Sequence, residues 1–298
     1  MIKAENLVKK FDTSVAVNNL SFEVSEGENL VLLGTSGCGK TTTLRMINRL
    51  IEPDSGRILL NGLDVRSQQP EMLRRGIGYV LQNHGLFPHY TVAENIAIVP
   101  RLLHWGKDAI QKRADELFQK LNLDPSLAGK FPVSLSGGQQ QRVGLMRSLM
   151  VNPPVLLMDE PFGALDNLTR IRIRKEFRML DELKKKTIIM VTHDVQEAFE
   201  IGDRICLMDK GEIKQIGTPE MLLFHPANDF VKAFFNEQRL QLKLKSISIA
   251  QILPNHALER NSSIWDRIDV LLSTEDNQPT DTLELENLMR AFARYKNK

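Results

Sequence analysis

The sequence predicts an α/β fold, in which helices cover a buried parallel sheet. Three observations predict it. Continuous apolar runs at Leu30-Val31-Leu32-Leu33, Val155-Leu156-Leu157-Met158 and Thr187-Ile188-Ile189-Met190-Val191 have the composition of strands buried on both faces. From residue 151 on, such runs alternate with helical patterns. The first run passes through Gly34-Thr35-Ser36-Gly37-Cys38-Gly39-Lys40-Thr41 into a helical pattern with Leu44, Ile47 and Ile51 on one face. Strand, glycine-rich loop and helix in that order are the setting in which G-x-x-x-x-G-K-[ST] cradles phosphate. The glycines let backbone N–H groups curl around a polyphosphate, and the helix behind offers unpaired N–H groups and a partial positive charge. Lys40 then reaches the β- and γ-phosphates, and the Thr41 hydroxyl is a Mg²⁺ ligand. The loop implies a bound nucleoside triphosphate.

Before the loop, Ile2, Ala4 and Leu7-Val8, then Phe22 and Val24, alternate with polar residues, which predicts short strands closed by the Glu26-Gly27 turn. After the loop helix, Pro53-Asp54-Ser55-Gly56 breaks the chain. Asn61-Gly62 between Arg57-Ile58-Leu59-Leu60 and Leu63-Asp64-Val65 is a tight-hairpin signal. These pieces are expected to form one antiparallel layer beside the nucleotide core. Gly76 to Gln82 reads as a short apolar strand ending in an amide, and Thr91 with Glu94 as a capping box. Ile110, Ala114, Leu117, Phe118 and Leu121 recur at helical spacing over 107–121, a packing stripe. Ile205 to Ile216 reads as a hairpin turning at Asp209-Lys210-Gly211. Lys184-Lys185-Lys186 is expected at a solvated helix end, where cations interact favourably with the helix dipole. After Phe235 the pattern becomes polar and helical, broken at Pro254 and Asn277-Gln278-Pro279, so residues 237–298 are expected to form a small extension.

With 298 residues, 42% hydrophobic and 26% charged, the chain has the composition of an ordinary globular protein. A formal net charge of +2 argues against a nucleic-acid binder driven by phosphate neutralisation. Two cysteines, Cys38 and Cys206, lack metal-site spacing and fit a reduced cytosolic protein. The opening residues, Met1-Ile2-Lys3-Ala4-Glu5, lack a basic-then-apolar leader pattern, and no apolar stretch reaches the length of a membrane span. A membrane role is therefore expected only through a partner.

Two further stretches carry chemistry. Val155 to Met158 ends in Asp159-Glu160. An aspartate at a strand tip beside a phosphate loop holds Mg²⁺ in many NTPases, and the adjacent glutamate can orient or deprotonate the attacking water. Two solvated acids at a strand end are the bland alternative, which the upstream loop disfavours. Leu135-Ser136-Gly137-Gly138-Gln139 precedes a helix with Val143, Met146 and Met150 on one side. Ser136 and Gln139 have capping-box spacing, which makes this a second helix N-terminus open to an anion. One chain cannot easily aim two such helix ends at one triphosphate, so the second is expected to serve a nucleotide held by another subunit.

The spacing of the phosphate loop, Gln82, Leu135 to Gln139, Asp159-Glu160, Ala164-Leu165-Asp166 and His193 resembles the ATP-binding-cassette ATPases over about residues 1–236. The resemblance implies a P-loop NTPase (RecA-like) core with an antiparallel β subdomain and an α-helical signature subdomain over about 88–150, plus the short C-terminal extension. It implies that Gly34, Thr35, Ser36, Gly37, Cys38, Gly39, Lys40, Thr41 and Thr42 form the Walker A loop around ATP. Gln82 matches the Q-loop glutamine, which touches Mg²⁺ or water and reports occupancy to a transmembrane partner. Ser136, Gly138 and Gln139 match the signature that closes on the γ-phosphate of the opposite protomer. Asp159 matches the metal aspartate, Glu160 the catalytic glutamate, Asp166 the residue at the dimer seam, and His193 the switch histidine on the γ-phosphate. Phe11 stands where a tyrosine usually stacks on adenine; stacking needs only the ring face. Phe131-Pro132-Val133 replaces a more usual tyrosine-proline-histidine and touches no catalytic position.

Gln139-Gln140-Gln141-Arg142, Leu86-Phe87-Pro88-His89 and Pro161-Phe162-Gly163-Ala164-Leu165-Asp166 are similar to bacterial importer ATPases. Ile77 to Pro88, Asn95 to Pro100 and Pro226 to Phe235 are similar to the osmoprotectant importers, which take up glycine betaine, proline, choline and related quaternary amines. That kinship implies a second ATPase subunit, integral membrane permease subunits and, indirectly, a solute-binding protein, with the chain on the cytoplasmic face of the inner membrane. An exporter usually fuses membrane helices to the cassette or pairs with them, and the importer-like segments count against that alternative. A soluble mechanoenzyme usually shows two cassettes or a coiled-coil insertion, and an unrelated P-loop kinase or GTPase lacks the Ser136 signature. Relatives with paired regulatory nucleotide-binding modules have longer tails than 240–298, so that regulation is not expected here.

Overall fold

The computed structural model describes residues 1–82, 85–246, 263–273 and 287–294. The expected breaks at Pro254 and Asn277-Gln278-Pro279, and Asn83-His84 of the importer-like run, lie outside the described residues. By packing, the chain divides into Met1–Ile213 and Lys214–Lys298.

The first unit opens with a hairpin of β1 (Ile2–Phe11) and β2 (Ser14–Val24), paired from Ile2↔Val24 to Phe11↔Ser14. Its inward residues Ile2, Leu7, Val17, Leu20 and Val24 are fully buried. The strands are longer than the short ones expected. The register shifts after Ala4 and Leu7, where Asn6 and, across from it, Asn19 sit at positive φ and share a 2.9 Å amide hydrogen bond. A polar residue able to take the left-handed conformation thus carries the pairing through a bulge instead of ending it. Next come β3 (Asn29–Gly34), α1 (Lys40–Ile47), β4 (Ser55–Leu60) and β5 (Leu63–Asp64). Asn61 and Gly62 both lie at positive φ between Leu60 and its partner Leu63, as a two-residue hairpin requires. The four strands form one antiparallel sheet in the order β2-β1-β4-β5, the layer the alternation predicted.

After α2 (Pro70–Arg75) and β6 (Ile77–Val80), three helices follow in succession: α3 (Val92–Leu102), α4 (Lys107–Lys120) and α5 (Gly137–Leu149). The chain then alternates through β7 (Val155–Asp159), α6 (Asn167–Met179), β8 (Thr187–Thr192), α7 (Val195–Ile201), β9 (Arg204–Asp209) and β10 (Glu212–Gly217). The second sheet has the order β10-β9-β3-β8-β7-β6. Its pairs from β9 through β3, β8 and β7 to β6 are parallel, and every residue of β7 and β8 is buried. The apolar runs are its central strands. Parallel order puts the ends of β3, β6, β7 and β8 along one edge, where ligands of open α/β sheets bind. Among the described residues no helix is long and apolar enough to cross a membrane.

Capping boxes mark where α3 and α5 begin. Thr91 and Glu94 cap each other's backbone N–H groups at α3, and Ser136 and Gln139 do so at α5. Lys184 to Lys186 do not form the expected helix end. The helix α6 stops at Met179, a turn follows, and Lys186 is buried, its Nζ donating to Asn152 Oδ1 (2.6 Å) and Pro153 O (2.8 Å). Burial lowers its pKa. Those two acceptors tie the entry of β8 to the loop before β7, so the third lysine is a structural group.

Asn95 lies on the buried face of α3 with Val92 and Ile96. Its Nδ2 donates to the carbonyls of Phe87, Tyr90 and Thr91 at 3.0–3.1 Å, and its Oδ1 accepts from Phe87 N at 2.8 Å. One amide therefore shapes the segment from Phe87 to Thr91, from which Phe87 and Tyr90 stay exposed. Asn95→Leu keeps the branched shape of the side chain and strands several backbone groups; a loss of about 3 kcal/mol in urea unfolding is expected.

In the second unit, α8 (Pro219–Phe224), α9 (Asp229–Phe234), α10 (Arg239–Ser246) and α11 (Ile264–Ser273) are joined by a helical segment at 287–294. Leu244, Ile264, Ile268 and Phe292 share a small core, flanked by Phe224 and Trp265. Lys243 Nζ lies 4.3 Å from the Phe224 ring centroid, a cation–π contact that lets a buried lysine sit beside that core.

Candidate functional site

The phosphate loop joins the end of β3 to α1. Gly39 precedes the helix at φ 100°, and a Cβ there would come within 2.3 Å of Ala16 O. Both the backbone conformation and the approach of β2 demand glycine. Gly39→Ala must displace backbone on one side, and a loss of about 2 kcal/mol or more in thermal unfolding is expected. The helix has no acidic residue in its first turn and no side-chain cap, so none of its own side chains competes with an anion for its leading N–H groups. Lys40 is buried and folds back over the loop, its Nζ donating to Gly34 O (2.9 Å) and Thr35 O (2.8 Å).

The acidic edge comes from β7. Thr41 Oγ1 donates to Asp159 Oδ1 at 2.8 Å. Burial pushes the Asp159 carboxyl above its ordinary pKa, with the Thr41 hydrogen bond opposing the shift. Glu160 follows at φ 45°, its N–H donating to Val191 O at 2.9 Å. That left-handed step is costly for a non-glycine residue, and it turns the glutamate off the end of the strand. Glu160 Oε2 then lies 3.0 Å from Gln82 Nε2, beyond the end of β6, and 3.1 Å from His193 Nδ1, just after β8. The His193 side chain remains 61% exposed.

A cleft of about 490 Å³ is lined by residues 36–42 together with Gln82, Glu160 and His193. A cradle of N–H groups and an ammonium thus faces a carboxylate steadied by an amide and an imidazole. That arrangement can hold a polyphosphate and orient a water against its terminal group. The Thr41 hydroxyl and Asp159 carboxylate form a hard-oxygen pair beside the cleft, of the kind Mg²⁺ takes together with water and phosphate oxygens. The donor set fits that ion.

Other expected residues lie outside the cleft lining. Ser136 is exposed and caps α5, with Gln139 N donating to its Oγ (3.3 Å) and its own N–H donating to Gln139 Oε1 (2.9 Å). A Cβ on Gly138 would meet Thr169 Cγ2 at 3.2 Å and Ile173 Cδ1 at 3.3 Å, so its smallness lets α5 approach α6. Asp166 caps α6, accepting from Thr169 N at 3.0 Å, and that bond holds its carboxyl below the usual pKa. Phe11, 44% exposed, ends β1 with Lys9 Nζ 5.5 Å from its ring centroid. Asn95, Asp209 and Asp194 also shape the site, although in the sequence Asp209 reads only as a turn residue and Asn95 only as part of an importer-like run. Asp209 Oδ1 accepts from Thr35 Oγ1 at 3.2 Å and steadies the loop. Asp194 caps α7 through Gln196 N and Glu197 N; an aspartate directly before a helical pattern was its signal. For Asn95 the signal was an amide within an apolar stripe.

Comparison with known proteins agrees with this geometry. Residues 17–163 match the family model described as ABC transporter. The chain is 48% identical over 241 residues to the glycine betaine/carnitine/choline transport ATP-binding protein OpuCA of Bacillus subtilis (strain 168), covering 80% of this chain and 63% of that protein. It thus spans less than two thirds of that relative's length. It is 43% identical over 305 residues to the glycine betaine uptake system ATP-binding protein YehX of Escherichia coli (strain K12), covering 97% of this chain and 99% of that protein. A dimeric structure of MJ0796, a bacterial ABC transporter cassette, superposes with a TM-score of 0.66 at 34% identity, covering 73% of this chain and 98% of that one. A cleft built by a phosphate loop and three strand ends, and a relative at 43% identity matched along 97% of the chain, lead to one conclusion: the chain belongs to the ABC transporter family, among its ATP-binding proteins.

Proposed function

We propose that the chain is the ATP-hydrolysing subunit of an importer for quaternary-amine osmoprotectants, glycine betaine and choline foremost. The observation that carries hydrolysis is the meeting of Gln82, Glu160 and His193 at the mouth of the Lys40 loop. The solute class is supported by the names of the relatives, since the cleft itself is suited to phosphate and not to a quaternary amine. The chain works peripherally on the cytoplasmic face of a bacterial inner membrane, bound to permease subunits that receive solute from a binding protein. No nucleic acid is part of this reading.

The loop N–H groups and Lys40 bind the phosphates, and Phe11 offers its ring to adenine. Gln82 and His193 orient Glu160, whose carboxylate takes the proton from the attacking water; His193 also donates toward the γ-phosphate. Thr41, Asp159 and Gln82 would hold Mg²⁺, which would supply charge neutralisation at the phosphates. Two copies sandwich two nucleotides. Each is held by one chain's loop and by Ser136, Gly138 and Gln139 of the other, with Asp166 at the seam. Closure presses the segment after Gln82, Leu86 to His89, against the permease, and hydrolysis releases it.

The test is uptake. Cells without their own betaine uptake, given this chain with its permease and binding protein, are expected to accumulate labelled glycine betaine. The same cells carrying Lys40→Ala are not. Uptake that is equal with and without Lys40 would reject the reading. So would coupled ATPase activity unaltered by any quaternary amine.

A further inference from the structure

Of the four arginines on α6, Arg170 and Arg174 reach the residue that follows His193. Arg174 is almost fully buried, with 5% of its side chain exposed. Its Nη1 lies 3.6 Å from Asp194 Oδ2, and its Nε lies 3.2 Å from Glu200 Oε2. One turn earlier, Arg170 Nη1 lies 3.8 Å from the same Asp194 oxygen, while its Nη2 donates to Leu165 O at 2.9 Å. Asp194 follows His193 directly. Its other oxygen caps α7, and its own N–H donates to Thr192 Oγ1 at 3.0 Å. Thr192 in turn donates to the buried Glu197 at 2.6 Å. Both residues flanking the exposed His193 are therefore pinned, and the pin on one side is held from α6. A buried guanidinium between two carboxylates is costly to desolvate, and its ion pairs offset that cost only in good geometry, so it is weak evidence for a role in stability alone. Packing alone is served as well by a methionine of similar length.

We infer that Arg174, helped by Arg170, is a positioning residue for turnover: it holds Asp194 so that His193 stays against Glu160. Arg170 also grips the carbonyl of Leu165, next to Asp166, so the arginine pair ties the start of α6 to the histidine. The inference rests on the reading of His193 as the group that meets Glu160 and the γ-phosphate. A misplacement of about 1 Å at such a group is enough to cost two orders of magnitude in rate.

The test is steady-state ATPase kinetics of the full-length chain with urea unfolding alongside. Arg174→Met is expected to lower kcat about 30-fold while KM for ATP stays within about twofold, because the phosphate loop is untouched. Arg174→Lys keeps the charge and loses the fork, and should recover part of the rate. Should Arg174→Met fail to fold, Asp194→Asn still caps α7 and releases the arginines, with the same kcat loss expected. In a His193→Ala background, Arg174→Met should add less than about a threefold further loss, the non-additivity of residues acting through one group. A folded Arg174→Met or Asp194→Asn with kcat within about threefold of the unaltered chain overturns the inference, as does full multiplication of its loss with that of His193→Ala. If His193→Ala alone keeps its turnover, the reading of His193 fails, and the inference with it. That single variant tells the two failures apart.

Discussion

Glu160→Gln is expected to bind ATP about as well as the unaltered chain while losing about 10²–10⁴-fold in turnover, the usual contribution of a placed general base. The substitution is close to isosteric. Glutamine can still accept from Gln82 Nε2 through its carbonyl oxygen, so the 3.0 Å contact at the cleft mouth survives, and the left-handed backbone at residue 160 is unchanged. What disappears is the basic carboxylate. Because Lys40 and the first turn of α1 are untouched, equilibrium binding of a fluorescent ATP analogue should hold steady while phosphate release stops. Hydrolysis at a near-unaltered rate would mean that another group activates the water.

Ser136→Arg is expected to remove turnover by 100-fold or more, through added bulk rather than lost chemistry. Ser136 is exposed at the N-terminus of α5, so the long side chain meets no interior. Loss of the cap costs only about 1 kcal/mol. The chain should stay folded and still load nucleotide on its own loop, while the arginine obstructs the nucleotide brought by a second copy. A variant that cannot bind ATP at all would show that the region of Ser136 belongs to the chain's own site.

Much of the fold was legible because its signals are local and strong. The central strands announced themselves as apolar runs, Asn61-Gly62 as a hairpin, Thr91 and Ser136 as caps. The phosphate loop was readable for the same reason: glycines at fixed offsets between a strand and a helix have few other uses. What the sequence hid depends on side chains meeting over distance. Lys186 looks like one of three helix-end cations until the loop before β7 is seen to supply its acceptors. Asn6 and Asn19 look like turn residues, yet they carry a long hairpin through a bulge. The contact of Glu160 with both Gln82 and His193 joins three strand ends from separate parts of the chain. Spacing suggested each residue singly; only the parallel order of β6, β7 and β8 brings them together. Arg174 gave no signal at all, since a helical arginine is ordinarily solvated.

The sharing of one nucleotide between two chains is measured most directly by the mass of Glu160→Gln in analytical ultracentrifugation with and without Mg-ATP. A single chain is expected without nucleotide, and a dimer holding two ATP molecules with it. Adding Ser136→Arg is expected to return the mass to one chain while ATP stays bound. A Glu160→Gln chain that remains single at saturating ATP, or a double variant that dimerises and traps nucleotide undiminished, would contradict that sharing.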